Sequence, residues 1–179
     1  ELEQDEFPGV SRNVVLELPG EIEDTIVLTA HYDSTSLSQG AYDNMSGSVG
    51  LLGLVEKFIH TKHRYGLRFI WCGSEERGLL GSKAYCAAHE EELKKVVLNV
   101  NLDMIGCIMG KFIACCTSEE KLVHYIQYFG SVEGFGIAAN QAVQPPLLFK
   151  HVKHGDRCTG SLATAIEGGG DATGESLLL

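Results

Sequence analysis

No apolar run in this chain approaches the roughly 18 residues needed to cross a bilayer, so no membrane-spanning helix is expected. No basic stripe is present either. Fourteen Lys and Arg stand against 24 Asp and Glu, a formal net charge of −10. That excludes nucleic acid as the expected partner, because nothing is there to displace counterions from a phosphate backbone. Six cysteines occur, Cys72, Cys86, Cys107, Cys115, Cys116 and Cys158, and no two form a C-x-x-C pair. Most lie within apolar runs, where a reduced cysteine behaves as a small hydrophobe. They are expected to be free thiols, with a lean towards a reducing, cytoplasmic compartment. No internal repeat and no signal peptide are visible. The chain opens on Glu1 rather than Met, so a trimmed or processed form is expected and an extracytoplasmic origin stays open.

What is present is ordinary globular composition. The 179 residues are 44% hydrophobic and 21% charged, enough for one domain with a core. The acidity serves either solubility or a local pocket that attracts cations.

The order of elements reads as alternating strands and helices. "RNVVLEL" and the nearly all-apolar "TIVLTAHYD" read as strands, the second buried on both faces. "STSLSQGAYDN" reads as a loop. "SGSVGLLGLVEKFIHT" sets Val49, Leu52, Val55, Phe58 and Ile59 at helical spacing, with glycines that let it approach a sheet closely. "GLRFIWCG" is a third strand. "LLGSKAYCAAHEEELKK" is expected as a helix with Lys94 and Lys95 at its end, its acidic part a solvated face. "VVLNVNLDMIG" and "KFIACC" follow as strands, the adjacent Cys115 and Cys116 pointing to opposite faces. "SEEKLVHYIQYFG" is a helix capped by Ser118 and stopped by Gly130, and "FGIAANQAV" one more strand. The alternation predicts a three-layer α/β/α fold with a largely parallel sheet. Residues 144–179 show no clean period and form an atypical tail to a single, incomplete domain spanning 1–179.

The chemistry-bearing residues gather at strand ends. The second strand ends His31-Tyr32-Asp33, and the loop after it supplies Asp43. The third ends Glu75-Glu76 and the fourth at Asp103. Parallel neighbours bring these ends to one edge, where binding sites of open α/β sheets collect. Five carboxylates and an imidazole crowded together could not all stay charged without raised pKa values. Divalent cations resolve the repulsion. Mixed imidazole and carboxylate donors suit zinc, with cobalt or manganese as alternatives. The donors exceed what one tetrahedral zinc needs, so two ions sharing a bridging carboxylate are expected. His124 falls within the amphipathic helix and reads as structural.

"VLTAHYDS", "GAYDNMSG", "IWCGSEERGLLGS" and "VNLDMIG", in this order and spacing, resemble the M28 family of zinc aminopeptidases over about residues 12–130. The resemblance implies a phosphorylase/hydrolase-like α/β/α fold and a co-catalytic dizinc centre acting on peptide substrates. It implies His31 and Asp103 as ligands of one metal, Asp43 as the bridging carboxylate and Glu76 as a ligand of the second. It implies Glu75 as general base on a metal-bridging water, returning the proton to the departing amine. It implies Asp33 as the acid that holds the His31 tautomer, and a cis peptide at Asp43-Asn44. The family also has a downstream histidine after segments of the form S-D-x-x-P-F and G-I-P, and neither segment occurs here. Three expectations stand: a truncated chain, a tail altered after about Val143, or His151 or His154 as substitute ligand. Two, one or no metals per chain therefore remain open. The expected function is N-terminal exopeptidase action. The alternatives are a non-catalytic relative acting as a scaffold, and glutaminyl cyclase or carboxypeptidase chemistry on the same fold.

Overall fold

The computed structural model describes residues 8–106, 112–116 and 120–141, with residues 140 and 141 described by backbone alone. Four strands form the main sheet: β1 (Val14–Leu18), β2 (Thr25–His31), β3 (Gly66–Cys72) and β4 (Val96–Asn101), in the order β1-β3-β2-β4. β2 pairs parallel with both β3 and β4. β1 closes one side antiparallel to β3. Each parallel neighbour needs a crossover. α1 (Met45–Phe58) links β2 to β3, while α2 (Leu80–Ala88) and α3 (Glu90–Leu93) link β3 to β4.

The side-chain alternation of the strands builds two cores. Leu28, Ala30, Leu67, Phe69 and Trp71 face α1 and close around Leu51. Val27, Ile70, Cys72 and Val96 face the other way, against Tyr85 and Leu93 of α2 and α3. β2 is thus apolar on both faces, as its composition requires. Helix layers on opposite faces of a mixed, mostly parallel sheet give the three-layer α/β/α architecture.

α1 is displaced in phase from its apolar spacing. Gly47, Ser48 and Leu51 are its buried residues, with Leu54, Val55 and Phe58 packed beside them. Val49, Leu52 and Ile59 face solvent at about half exposure. The reason is contact distance. A Cβ on Gly47 would lie 2.2 Å from the Leu102 carbonyl oxygen, so only glycine lets this turn of α1 rest on the strand end. Gly47, Ser48 and Leu51 therefore turn inward, and the side carrying Val49 and Leu52 turns out.

Three further expectations are corrected. The helix expected over residues 79–95 is two, broken at His89. That ring stacks on Tyr85, centroids 4.1 Å apart, and its Nδ1 lies 2.9 Å from the Tyr85 carbonyl oxygen, closing α2 as basic side chains do at helix ends. The break lets Leu93 drop into the core. α4 (Glu120–Val132) passes through Gly130, which is buried against Ile137; the left-handed glycine that follows the helix is Gly134, φ +76°. Finally, β5 (Phe112–Cys116) and β6 (Ile137–Gln141) pair parallel in a sheet of their own. They meet the main sheet through side chains, Leu98 and Val100 packing against Ala114, Cys116, Val123 and Ala139. Ser118 and the tail lie outside the described residues.

Candidate metal centre

β2, β3 and β4 run in one direction, so their carboxyl ends share an edge. His31 is the last residue of β2 and is 1% exposed. Its Nδ1 lies 3.1 Å from the main-chain carbonyl oxygen of Asp33. A carbonyl only accepts, so the proton sits on Nδ1 and Nε2 turns to the centre. Around Nε2 stand Asp43 Oδ1 at 3.0 Å, Asp103 Oδ1 at 3.5 Å and Glu75 Oε2 at 3.9 Å.

Each acid lies at the end of a strand or the start of a helix. Asp43 precedes α1 and is joined to Asn44 by a cis peptide bond. Asp103 follows β4, where the Leu102 N–H donates to the Thr29 carbonyl at 2.8 Å and prolongs the parallel pairing. Glu75 and Glu76 sit in the turn after β3, entered through Ser74 in the left-handed region at φ +57°; Met104, directly after Asp103, is also left-handed at φ +50°. Non-glycine residues held there cost on the order of 1 kcal/mol each. Both are at ligand-bearing turns.

Asp33 acts differently from expectation. Its carboxylate is 3.6 Å from His31 Nδ1, beyond hydrogen-bond reach; the carbonyl makes that contact. The carboxylate instead accepts the main-chain N–H groups of Glu75 and Glu76, at 2.9 and 3.2 Å.

The charges are strongly coupled. Burial pushes Glu75 up to about 7, aided by Asp103, Glu76 and Asp33 and partly offset by His31. Burial, then Asp103, raises Asp43; burial, then Asp43, raises Glu76. Burial pulls the His31 imidazolium down, but Asp103, Glu75 and Asp43 outweigh it and push it up to about 9. The cluster therefore calls for positive charge at its centre.

The donor set fits a divalent cation. His31, Asp43 and Asp103 offer ligand atoms within 4.8 Å of one another, and so do His31, Glu75 and Glu76. Asp103 Oδ1 and Glu76 Oε1 are shielded from solvent and accept no hydrogen bond. Buried carboxylate oxygens left in this way are costly unless an ion takes them.

All six residues singled out at strand ends meet here. His124 does not: it is exposed on α4, 3.8 Å from Glu120. His151 and His154 lie outside the described residues. Asn44, which the sequence places in a loop, is the fully buried N-cap of α1. An asparagine immediately before a helical run is the signal for it.

The chain is similar to proteins already known. The model described as "Peptidase family M28" matches residues 13–136. Leucine aminopeptidase 2 of Trichophyton rubrum is 41% identical over 96 residues, covering 52% of this chain and 19% of that protein. The aminopeptidase YwaD of Bacillus subtilis is 41% identical over 100 residues, covering 54% and 22%. A solved zinc aminopeptidase from Bacillus subtilis superposes with a TM-score of 0.70 at 28% identity, covering 91% of this chain and 41% of that one. The chain thus spans about a fifth of the length of the curated relatives it matches.

Proposed function

Because the chain belongs to peptidase family M28, we propose that it carries the metal-binding half of an aminopeptidase site, which releases N-terminal residues from peptides. The observation that supports this most directly is the gathering of Asp43, Asp103, Glu75 and Glu76 around His31, with two acid oxygens buried and accepting no hydrogen bond. His31 and Asp103 would hold one ion, Asp43 would bridge, and Glu76 would hold a second. A divalent cation here, zinc in the Bacillus subtilis relative, supplies charge that acidifies water and polarises a scissile carbonyl.

The chain's own residues account for the proton. Glu75, raised to about 7, is poised to accept a proton near neutral pH and give it back. Its carboxylate takes the proton from the attacking water and returns it to the departing amine. Asp33 fixes where that carboxylate starts, by holding the Glu75 and Glu76 amides. Asp43, more exposed than Asp33, Glu75 and Asp103, opens the centre to solvent and so to a peptide end. Among the described residues no helix is long and apolar enough to cross a membrane.

Metal content per chain, measured with hydrolysis of aminoacyl chromogenic substrates with and without chelator, tests the proposal. Bound metal and chelator-sensitive release are expected. A chain that binds no metal and turns nothing over is a scaffold or an incomplete site, and the proposal fails.

A further inference from the structure

We propose that Asn44 is a positioning residue of this centre: its side-chain amide ties Asp43 to Asp103 and so sets the spacing of the two acids that flank His31. The inference rests on the metal-centre reading above and deepens it. Asn44 is 0% exposed and follows Asp43 directly in the chain. Its Oδ1 accepts the Gly47 N–H at 3.0 Å, capping α1. The same oxygen accepts the Met104 N–H at 3.0 Å, and its Nδ2 donates to the Leu102 carbonyl at 2.9 Å. Met104 and Leu102 are the two neighbours of Asp103. One amide therefore clasps the backbone on both sides of Asp103 while its own main chain carries Asp43.

A simple N-cap explains only the first of these bonds. The two bonds to Leu102 and Met104 span 58 and 60 residues and add nothing to helix capping. They reach the segment that needs holding most, since Met104 sits in the left-handed region and Asp103 lies beyond the end of β4. The surroundings are braced in the same sense. Ser48 Oγ donates to the His31 carbonyl at 2.8 Å, and Trp71 Nε1 donates to the Ser48 carbonyl at 3.1 Å. The first turn of α1 is thereby fastened to the ends of β2 and β4 together. Groups that orient metal ligands without touching the ion commonly change affinity by about 10- to 100-fold when removed.

Asn44→Ser separates the two roles, because serine still caps a helix but is too short to hold Leu102 and Met104. Cobalt(II) and zinc binding by the full chain is expected to weaken about 10- to 100-fold in this variant, with a changed visible cobalt spectrum. Leu51→Ala serves as the control for stability alone: it loosens α1 without touching the clasp and is expected to keep the wild-type affinity. Hydrogen exchange on the wild type needs neither variant nor metal. The Met104 amide, beyond the end of β4, is expected to exchange as slowly as those of β2. Overturning results are an Asn44→Ser variant that binds metal within about twofold of wild type, or a Met104 amide with no protection. If wild type binds metal and the variant binds equally well, only this inference falls. If wild type binds none, the metal-centre reading falls and takes this one with it.

Discussion

One carboxylate oxygen of Asp33 accepts the main-chain N–H of Glu75 at 2.9 Å, and the other accepts that of Glu76 at 3.2 Å. Two adjacent glutamates after an apolar strand are an electrostatic liability, and this pairing shows how the chain manages it. The backbone of the acidic turn is anchored by a third acid, through N–H groups that welcome a negative charge. The side chains of Glu75 and Glu76 are thereby left free to face the centre. The same residue's carbonyl orients His31, so Asp33 joins the ends of β2 and β3 through two different atoms.

Asp33→Asn should therefore damage the Glu75–Glu76 turn more than the histidine. An amide keeps one accepting oxygen and places an NH2 against a main-chain N–H, while the carbonyl contact to His31 survives. Hydrolysis is expected to fall about 10- to 100-fold. Stability is expected to fall by about 1–3 kcal/mol, the usual range for a charge-assisted hydrogen bond left unmade. Steady-state rates and urea unfolding measure the two effects. An unchanged rate would show that the turn holds itself.

The phase of α1 is tested by two neighbouring leucines. Leu51 is 0% exposed at the centre of the α1 core, whereas Leu52 is 56% exposed. Leu51→Ala is expected to cost about 2–5 kcal/mol, through lost burial and the cavity left behind. Leu52→Ala is expected to change stability by no more than about 0.5 kcal/mol. Thermal or urea unfolding of both variants decides it. The reverse order would put the side carrying Val49 and Leu52 inside and overturn the helix placement.

That contrast marks where sequence stops being informative. Parallel strands were legible because β2 and β3 are apolar beyond what a one-faced strand needs, and strand direction alone then carried His31, Glu75, Glu76 and Asp103 to one edge. Helix phase was not legible. Apolar spacing ranks side chains by hydrophobicity, but α1 is placed by how near its backbone comes to Leu102, which favours Gly47 and Ser48. The work of Asn44 was hidden for a similar reason, since its partners lie some 60 residues away. The roles of Asp33 depended on which of its oxygens reaches which donor, a matter of ångströms that no spacing encodes. The break at His89 likewise follows from one ring folding back on Tyr85.

Cys116 offers a probe of the β5–β6 layer. It is 0% exposed, and burial pushes its thiol up to about 11, with Cys115 adding a smaller push. In the unfolded chain the thiol titrates near 8.5. The folded state thus keeps a proton that the unfolded state loses, so the stabilisation is complete below about pH 8.5 and disappears as pH rises towards 11. The peptide carrying Cys116 should stay unalkylated by iodoacetamide at pH 8 in native protein and react fully in urea. The urea midpoint should fall between pH 8 and pH 10. Rapid native labelling would show that the layer is open.

Glu75→Gln separates the proton carrier from the metal ligands. Glutamine keeps the shape and the Asp33 contact, which uses the main-chain N–H. It cannot take up the proton that Glu75 is poised to accept near pH 7. The donors of His31, Asp43, Asp103 and Glu76 remain. Metal content is therefore expected to match wild type while hydrolysis of aminoacyl chromogenic substrates falls by about 100- to 10,000-fold, the usual worth of general acid–base catalysis. Loss of metal along with activity would make Glu75 a ligand. Wild-type turnover with metal retained would remove it from the reaction and move the proton to another of the acids around His31.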